Sequence, residues 1–375
     1  MQTDPTIQWL AKLASPASVD VGCPPSDQLP NEILALARYH GILPLIASYL
    51  AQHVAPAWIV EAATNAKRSQ AAIELARRPM VVEAIDALTA AGAEPILLKG
   101  EALAQTHYAD SWQRPRADTD LLVAPATQEQ AASALIALGY QPVLQLPGKW
   151  VSSQASLVRI GPSGFKHAID LHWRINNSPV LASLLSHGEI RATAMPLPSL
   201  GQAARAPSQV HALLIACLHR VGSEHAPYHV DGIARVGGDR LIWLADIDRL
   251  LRSFDGSHDE LVQLAAERGC GRLCAAGITS AAGAFATPGA QALVIRLGEP
   301  SIASIYDRYL VAGSRQRGWL DFQALPGIQA RLSFLNEALW PDQAYLRARY
   351  PNVKDPGGLR FRLSRIFNGL RSRLR

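Results

Sequence analysis

The stretch from Pro95 to Val123, PILLKGEALAQTHYADSWQRPRADTDLLV, constrains the fold of this chain more than any other. An apolar run ends at Lys99-Gly100, a connector follows, and a second apolar run carries Asp118 and Asp120. Both runs read as strands. On a strand, residues i and i+2 point to one face, so Asp118 and Asp120 lie side by side. Like charges that close repel. A divalent cation between them relieves the repulsion, and Mg²⁺ favours a few carboxylates together with phosphate oxygens. Leu121, Leu122 and Val123 follow directly, which fits an inner strand of a sheet covered by helices. The alternative is an exposed strand end whose acids are neutralised by Arg114 and Arg116.

Helical periodicity flanks this segment on both sides. Residues 31–50 are amphipathic with Pro44 as the expected break, and residues 71–92 form a second helix capped by Gly92. Four strands are expected at 95–100, 117–124, 152–161 and 167–175. A helix over 127–139 lies between the second and third, with Thr127 and Gln130 as a capping box and Gly139 as its stop. Pro162-Ser163-Gly164 joins the last two strands as a hairpin. Helices return at 208–221, 239–254 and 259–277. A Pro/Gly linker at 350–358 precedes a basic tail.

The ordered set of apolar strand, Lys-Gly turn and RPRADTDLLV resembles the nucleotidyltransferase superfamily of the DNA polymerase beta type. It is most similar to an uncharacterised bacterial nucleotidyltransferase family. The likeness continues more weakly through HAIDLHWRI (167–175), the Trp243/Asp246 helix and LWPDQAYLRARY (339–350). The resemblance implies an α+β fold, with a small mixed β-sheet nucleotidyltransferase core between N-terminal and C-terminal helical regions. The boundaries expected are 1–92, 93–200, 201–350 and 351–375. The implied activity is transfer of a nucleoside monophosphate from an NTP, ATP being the expected one, to a hydroxyl or phosphate acceptor, with release of pyrophosphate. The acceptor is open among small molecules, peptides or proteins, and RNA. The rival reading is a module that keeps the fold to bind a nucleotide or partner without turnover.

Under this resemblance Asp118, Asp120 and Asp170 are the catalytic and metal-binding residues, with Mg²⁺ or Mn²⁺ as cofactor. Asp170 completes the set because its strand neighbours Ile169 and Leu171 face the other way. Its alternative is a structural bond to a neighbouring strand or to Arg174. Lys99, Gly100, Arg114 and Arg116 are the nucleotide-binding candidates. Gly100 permits close backbone approach and positive φ, and the N–H groups of a following helix can bind an anion. The superfamily more commonly has Gly-Ser or Gly-Gly at this turn. Here Glu101 stands in the second place, where an acid repels a triphosphate unless it faces away. His172 shares the face of Asp170 and is a candidate for orienting substrate.

A second Asp-x-Asp, Asp246 and Asp248, falls in a helical pattern. There i and i+2 are about 200° apart, so the two cannot share one metal. Asp248 reads as a surface pair with Arg252, and Asp246 as a candidate inward contact to the core. His219, His225 and His229 with Asp231 fit no zinc spacing and read as structural. Cys23, Cys217, Cys270 and Cys274 contain no CxxC pair and read as free thiols.

The net charge of +5 comes from the end of the chain. From Pro356 onward there are six arginines and no acid, leaving 30 bases against 31 acids before it. The body is therefore not basic enough to argue for nucleic acid. Apolar residues at 359, 363, 366, 367, 370 and 374 give the tail a helical stripe. Such a basic amphipathic helix can lie on anionic lipid, bind nucleic acid or an acidic partner, or dock on its own protein. The N-terminus lacks a basic start and apolar core, so a cytoplasmic location is the expectation.

Overall fold

A computed structural model of the chain describes residues 4–16, 21–25, 28–143, 148–225, 228–230, 233–254, 258–298 and 304–372. Five short strands make its main sheet: β1 (Ile96–Leu97), β2 (Thr119–Leu122), β3 (Gln141–Pro142), β4 (Gln154–Ile160) and β5 (Lys166–His172). Their order is β1-β2-β5-β4-β3. Only β2 and β5 run parallel; the other pairs are antiparallel. The sheet is mixed and helices flank it, as expected for an α+β core.

One face of the sheet buries Leu121, Leu157, Ile169 and Leu171 against Val81, Ile85 and Leu88 of the long helix Ala57–Ala90 and Leu135 of Gln128–Ala137. A larger core is shared by helices from both ends of the chain. Leu10, Ile46 and Ile59 pack there with Leu214, Leu244, Leu273 and Ile278. Among the described residues no single helix is long and apolar enough to cross a membrane.

Local chemistry explains where the elements end. The helix Pro30–His40 stops at Gly41, whose φ of 70° is the left-handed conformation that glycine tolerates. Pro44 therefore does not break a helix: it sits in the first turn of the next one, Leu43–Leu50. Gly92 caps the long helix at φ 77° as expected. The expected capping box of Thr127 with Gln130 does not form. The Thr127 hydroxyl instead donates to the carbonyl of Ala124 across a 3₁₀ turn. The single helix expected over 259–277 is two, Asp259–Arg268 and Gly271–Phe285, divided at Gly269 with φ 67°. The hairpin turn between β4 and β5 is present. The linker at 350–358 is partly packed, with Pro356 buried.

Candidate active site

The parallel pairing sets Asp120 of β2 directly beside Asp170 of β5. His172 lies two residues further on β5 and so shares the Asp170 face. One carboxylate oxygen each from Asp120 and Asp170 and a ring nitrogen of His172 lie within 4.8 Å of one another. Asp118 precedes β2 by one residue and is half-buried. Among the described residues no hydrogen bond or ion pair is seen at its carboxylate. Burial, reinforced by the charges of Asp120 and Asp170, pushes the Asp118 carboxyl up to about 7. The nearby cations Lys99 and Arg77 oppose the rise without cancelling it.

Asp120 is different. Its Oδ1 accepts from Lys99 Nζ at 2.7 Å and lies 2.7 Å from His172 Nε2. Burial alone would raise its pKa, but Lys99 and His172 outweigh burial and hold the carboxyl well below the usual range. Burial pulls Lys99 the other way, and Asp120 reverses that to raise it. Asp170 accepts from Ser156 Oγ at 2.5 Å and from Gln154 Nε2 at 3.1 Å, both on β4. The bond to a neighbouring strand is thus present, and it orients the carboxylate next to Asp120 rather than removing it.

The Lys99-Gly100 turn is built differently from the expectation. β1 ends at Leu97, and Lys99 opens the helix Lys99–Thr106. The positive φ belongs to Lys99, at 48°, not to Gly100. A left-handed non-glycine residue costs about 1–2 kcal/mol. It is held by two bonds to one residue: Leu98 N–H donates to Asp120 O at 3.0 Å, and Lys99 Nζ reaches the Asp120 side chain. The strain aims the ammonium at the carboxylates. Gly100 sits in a tight space: a Cβ there would stand 3.3 Å from Arg116 Cβ and 3.4 Å from Arg114 Nη1.

Glu101 faces away from the carboxylate cluster. It is buried and grips Arg116 through both oxygens, at 2.6 and 2.9 Å. Burial would raise it, yet Arg116 and Arg77 keep it below the ordinary carboxylate range. Its charge is thereby neutralised within the protein.

Further ion pairs hold the two arginines within the protein. Arg116 is shared between Glu101 and Glu74, the latter at 2.6 Å. Arg114 is buried and meets Asp246 in a two-pronged pair, Nε–Oδ1 at 2.8 Å and Nη2–Oδ2 at 2.7 Å. Both guanidiniums are committed to protein carboxylates, which compete with any phosphate for them. Asp246 also accepts from Tyr108 Oη at 2.7 Å, so it is an inward contact joining the helix Leu241–Arg252 to the core. Asp248 does pair with Arg252, but in the interior, where Thr287 Oγ1 also donates to it at 2.7 Å.

His219 lies edge-on to Trp243, and burial lowers it to about 3. With Lys99, Arg114, Trp243 and Asp246 it lines a cavity of about 20 Å³, room for roughly one water. Asp231 and the side chains of His225 and His229 lie outside the described residues. The described cysteines are free thiols, three of them buried. A shallow groove of about 750 Å³ along the long helix, lined by Arg78, Val82 and Leu138, contains none of the clustered carboxylates.

The donor set fits a divalent cation. Two carboxylates and a histidine converge from two adjacent strands, and Asp118, whose charge is felt by Asp120 and Asp170, stands just before the first of them. Ser156, Gln154 and the Asp120–His172 contact were not visible in the sequence as parts of the site. Alternation placed His172 on the right face, but its partner is set by the β2–β5 register. Comparison with curated proteins finds no match. A family model described as an uncharacterised nucleotidyltransferase matches residues 26–286, a span containing the carboxylate cluster and the Arg114–Asp246 pair, and the chain belongs to that family.

Proposed function

We propose that the chain is a metal-dependent nucleotidyltransferase. It moves a nucleoside monophosphate from an NTP, ATP as the first choice, to a hydroxyl or phosphate acceptor and releases pyrophosphate. The observation that carries this reading is the convergence of Asp120, Asp170 and His172, with Asp118, its carboxyl raised by burial and then by Asp120 and Asp170, just before the same strand. Mg²⁺ or Mn²⁺ held by Asp118, Asp120 and Asp170 would neutralise triphosphate charge and lower the pKa of the attacking hydroxyl. Asp170, oriented by Ser156 and Gln154, holds the acceptor side of the site. Lys99 adds positive charge at the edge of the carboxylates, where the transferring phosphate must lie. Gly100 lets that turn approach closely. Arg114 and Arg116 contribute by holding the turn in place through Asp246 and Glu101.

A second reading is favoured by the Lys99–Asp120 pair. An ammonium already neutralises that carboxylate, as suits a module that binds a nucleotide or partner without turnover. Incubation with α-labelled NTPs, Mg²⁺ or Mn²⁺, and acceptor pools separates the two. Label transfer with equal pyrophosphate release, lost in Asp170→Asn, supports the enzyme. Tight NTP binding with no pyrophosphate from any pool supports the module.

A further inference from the structure

Eight of the large hydrophobic side chains exposed among the described residues fall between Trp319 and Leu363. They are not scattered. On the helix Gly327–Leu339, the exposed residues are Ile328, Leu332, Leu335 and Leu339, spaced by four, three and four. That spacing makes one continuous apolar stripe. Ile328 is 76 % exposed and Leu332 is 61 % exposed. The opposite side of this helix faces the protein. Ala330 is buried, and Glu337 accepts the backbone N–H groups of Lys149, Trp150 and Val151 at 2.9–3.0 Å. The stripe continues onto its neighbours. Arg365 donates to the carbonyls of Ala338 and Leu339 and docks the first turns of the helix Leu359–Ser372 there. On that helix Leu359 and Leu363, one turn apart, stay exposed. The tail thus docks partly on its own protein and still extends an apolar face.

Charge selects what covers this face. Residues 314–375 hold twelve Lys and Arg against four Asp and Glu, a net of +8, whereas residues 1–313 hold 24 against 27. A second copy would bring +8 against +8. The four side chains of the stripe are aliphatic and offer a nucleic acid neither stacking nor hydrogen bonds; the exposed Trp319 and Trp340 fall outside that spacing. A surface that is apolar within and anionic at its headgroups matches both features. The helix Gly327–Leu339, about 20 Å long, is too short to span a bilayer and suited to lie in its plane. The appendage also lies beyond residue 286, outside the family match.

We infer that the helices from 314 onward form a peripheral docking face for anionic membrane, with Ile328, Leu332, Leu335 and Leu339 entering the headgroup layer and the arginines meeting lipid charge. The inference concerns binding alone and does not depend on catalysis. The test is co-sedimentation of the full chain with vesicles of phosphatidylcholine, with and without about one-third phosphatidylglycerol, at ionic strength near 0.15 M. Wild type is expected to sediment with the anionic vesicles only. Ile328→Glu/Leu332→Glu, altered at two exposed positions, is expected to keep its melting temperature and lose roughly a hundredfold in partition. Three results would overturn the inference. One is no sedimentation of wild type. Another is equal sedimentation of the variant, which would mean adsorption by arginines alone. The third is self-association of wild type that the variant abolishes, without vesicle binding, which would assign the face to a second copy.

Discussion

His167 and His172 sit on the same strand, five residues apart and therefore on opposite faces of the sheet. His167 is buried in a neutral chain: Thr119 Oγ1 lies 3.0 Å from its Nε2 and Tyr140 Oη 2.6 Å from its Nδ1. Burial, then the nearby guanidinium of Arg77, lowers it to about 3, so it stays uncharged at neutral pH. His172 meets the Asp120 carboxylate amid Lys99, Asp118 and Asp170. Thr119 and Asp120 divide in the same way between the two faces. One face satisfies its polar groups internally and fixes β2 against β5. The other gathers charge, with Asp118 beside it raised by burial and then by Asp120 and Asp170. A ligand can act on the second only because the first holds the register.

If that division is right, variants on the two faces fail differently. The largest effect is expected at Asp118→Asn or Asp120→Asn. Either should cut nucleotidyl transfer by roughly a thousandfold or more, since several kcal/mol of charge stabilisation are lost. The melting temperature should hold or rise for Asp118→Asn, because repulsion is relieved. Thermal unfolding of both variants checks this, and a collapsed fold would break the comparison. Next comes His167→Leu, which orphans two buried hydroxyls at about 1–3 kcal/mol each. Denaturant unfolding should show that loss while NTP affinity in the folded protein changes little.

The smallest effect is on pH dependence. His167 is lowered from 6.5 to about 3, so the folded state binds fewer protons than the unfolded chain between those values. Its contribution is complete above pH 6.5 and is lost as pH falls toward 3. His40, lowered to about 4, and His219, lowered to about 3, act in the same sense. Stability measured from pH 7 down to 4 should fall, and less steeply in His167→Leu. An unchanged slope in that variant would remove His167 from the account.

Strand alternation made the shared face of Asp170 and His172 legible, because a period of two needs only local sequence; Asp118 stands one residue before β2. The placement of Asp120 opposite Asp170 was not legible, since register depends on how β5 enters the sheet. The partners of Arg114 and Arg116 were hidden for a similar reason. Asp246 is 132 residues from Arg114, and Glu74 is 42 from Arg116. Nothing local distinguishes a guanidinium bound for phosphate from one bound for a distant carboxylate. Other differences have local signals. Gly269 and Gly271 flank the division between two helices, and Gly41 precedes Pro44 by three residues. Lys99 took the left-handed conformation that the neighbouring glycine suggested for itself, because its ammonium is anchored on Asp120.

The charged face is tested most directly by calorimetric titration of NTP into the protein with and without Mg²⁺ or Mn²⁺. The account predicts cation-dependent binding that disappears in Asp120→Asn and persists in His167→Leu. Binding that ignores the cation, or that survives equally in Asp120→Asn, would contradict it.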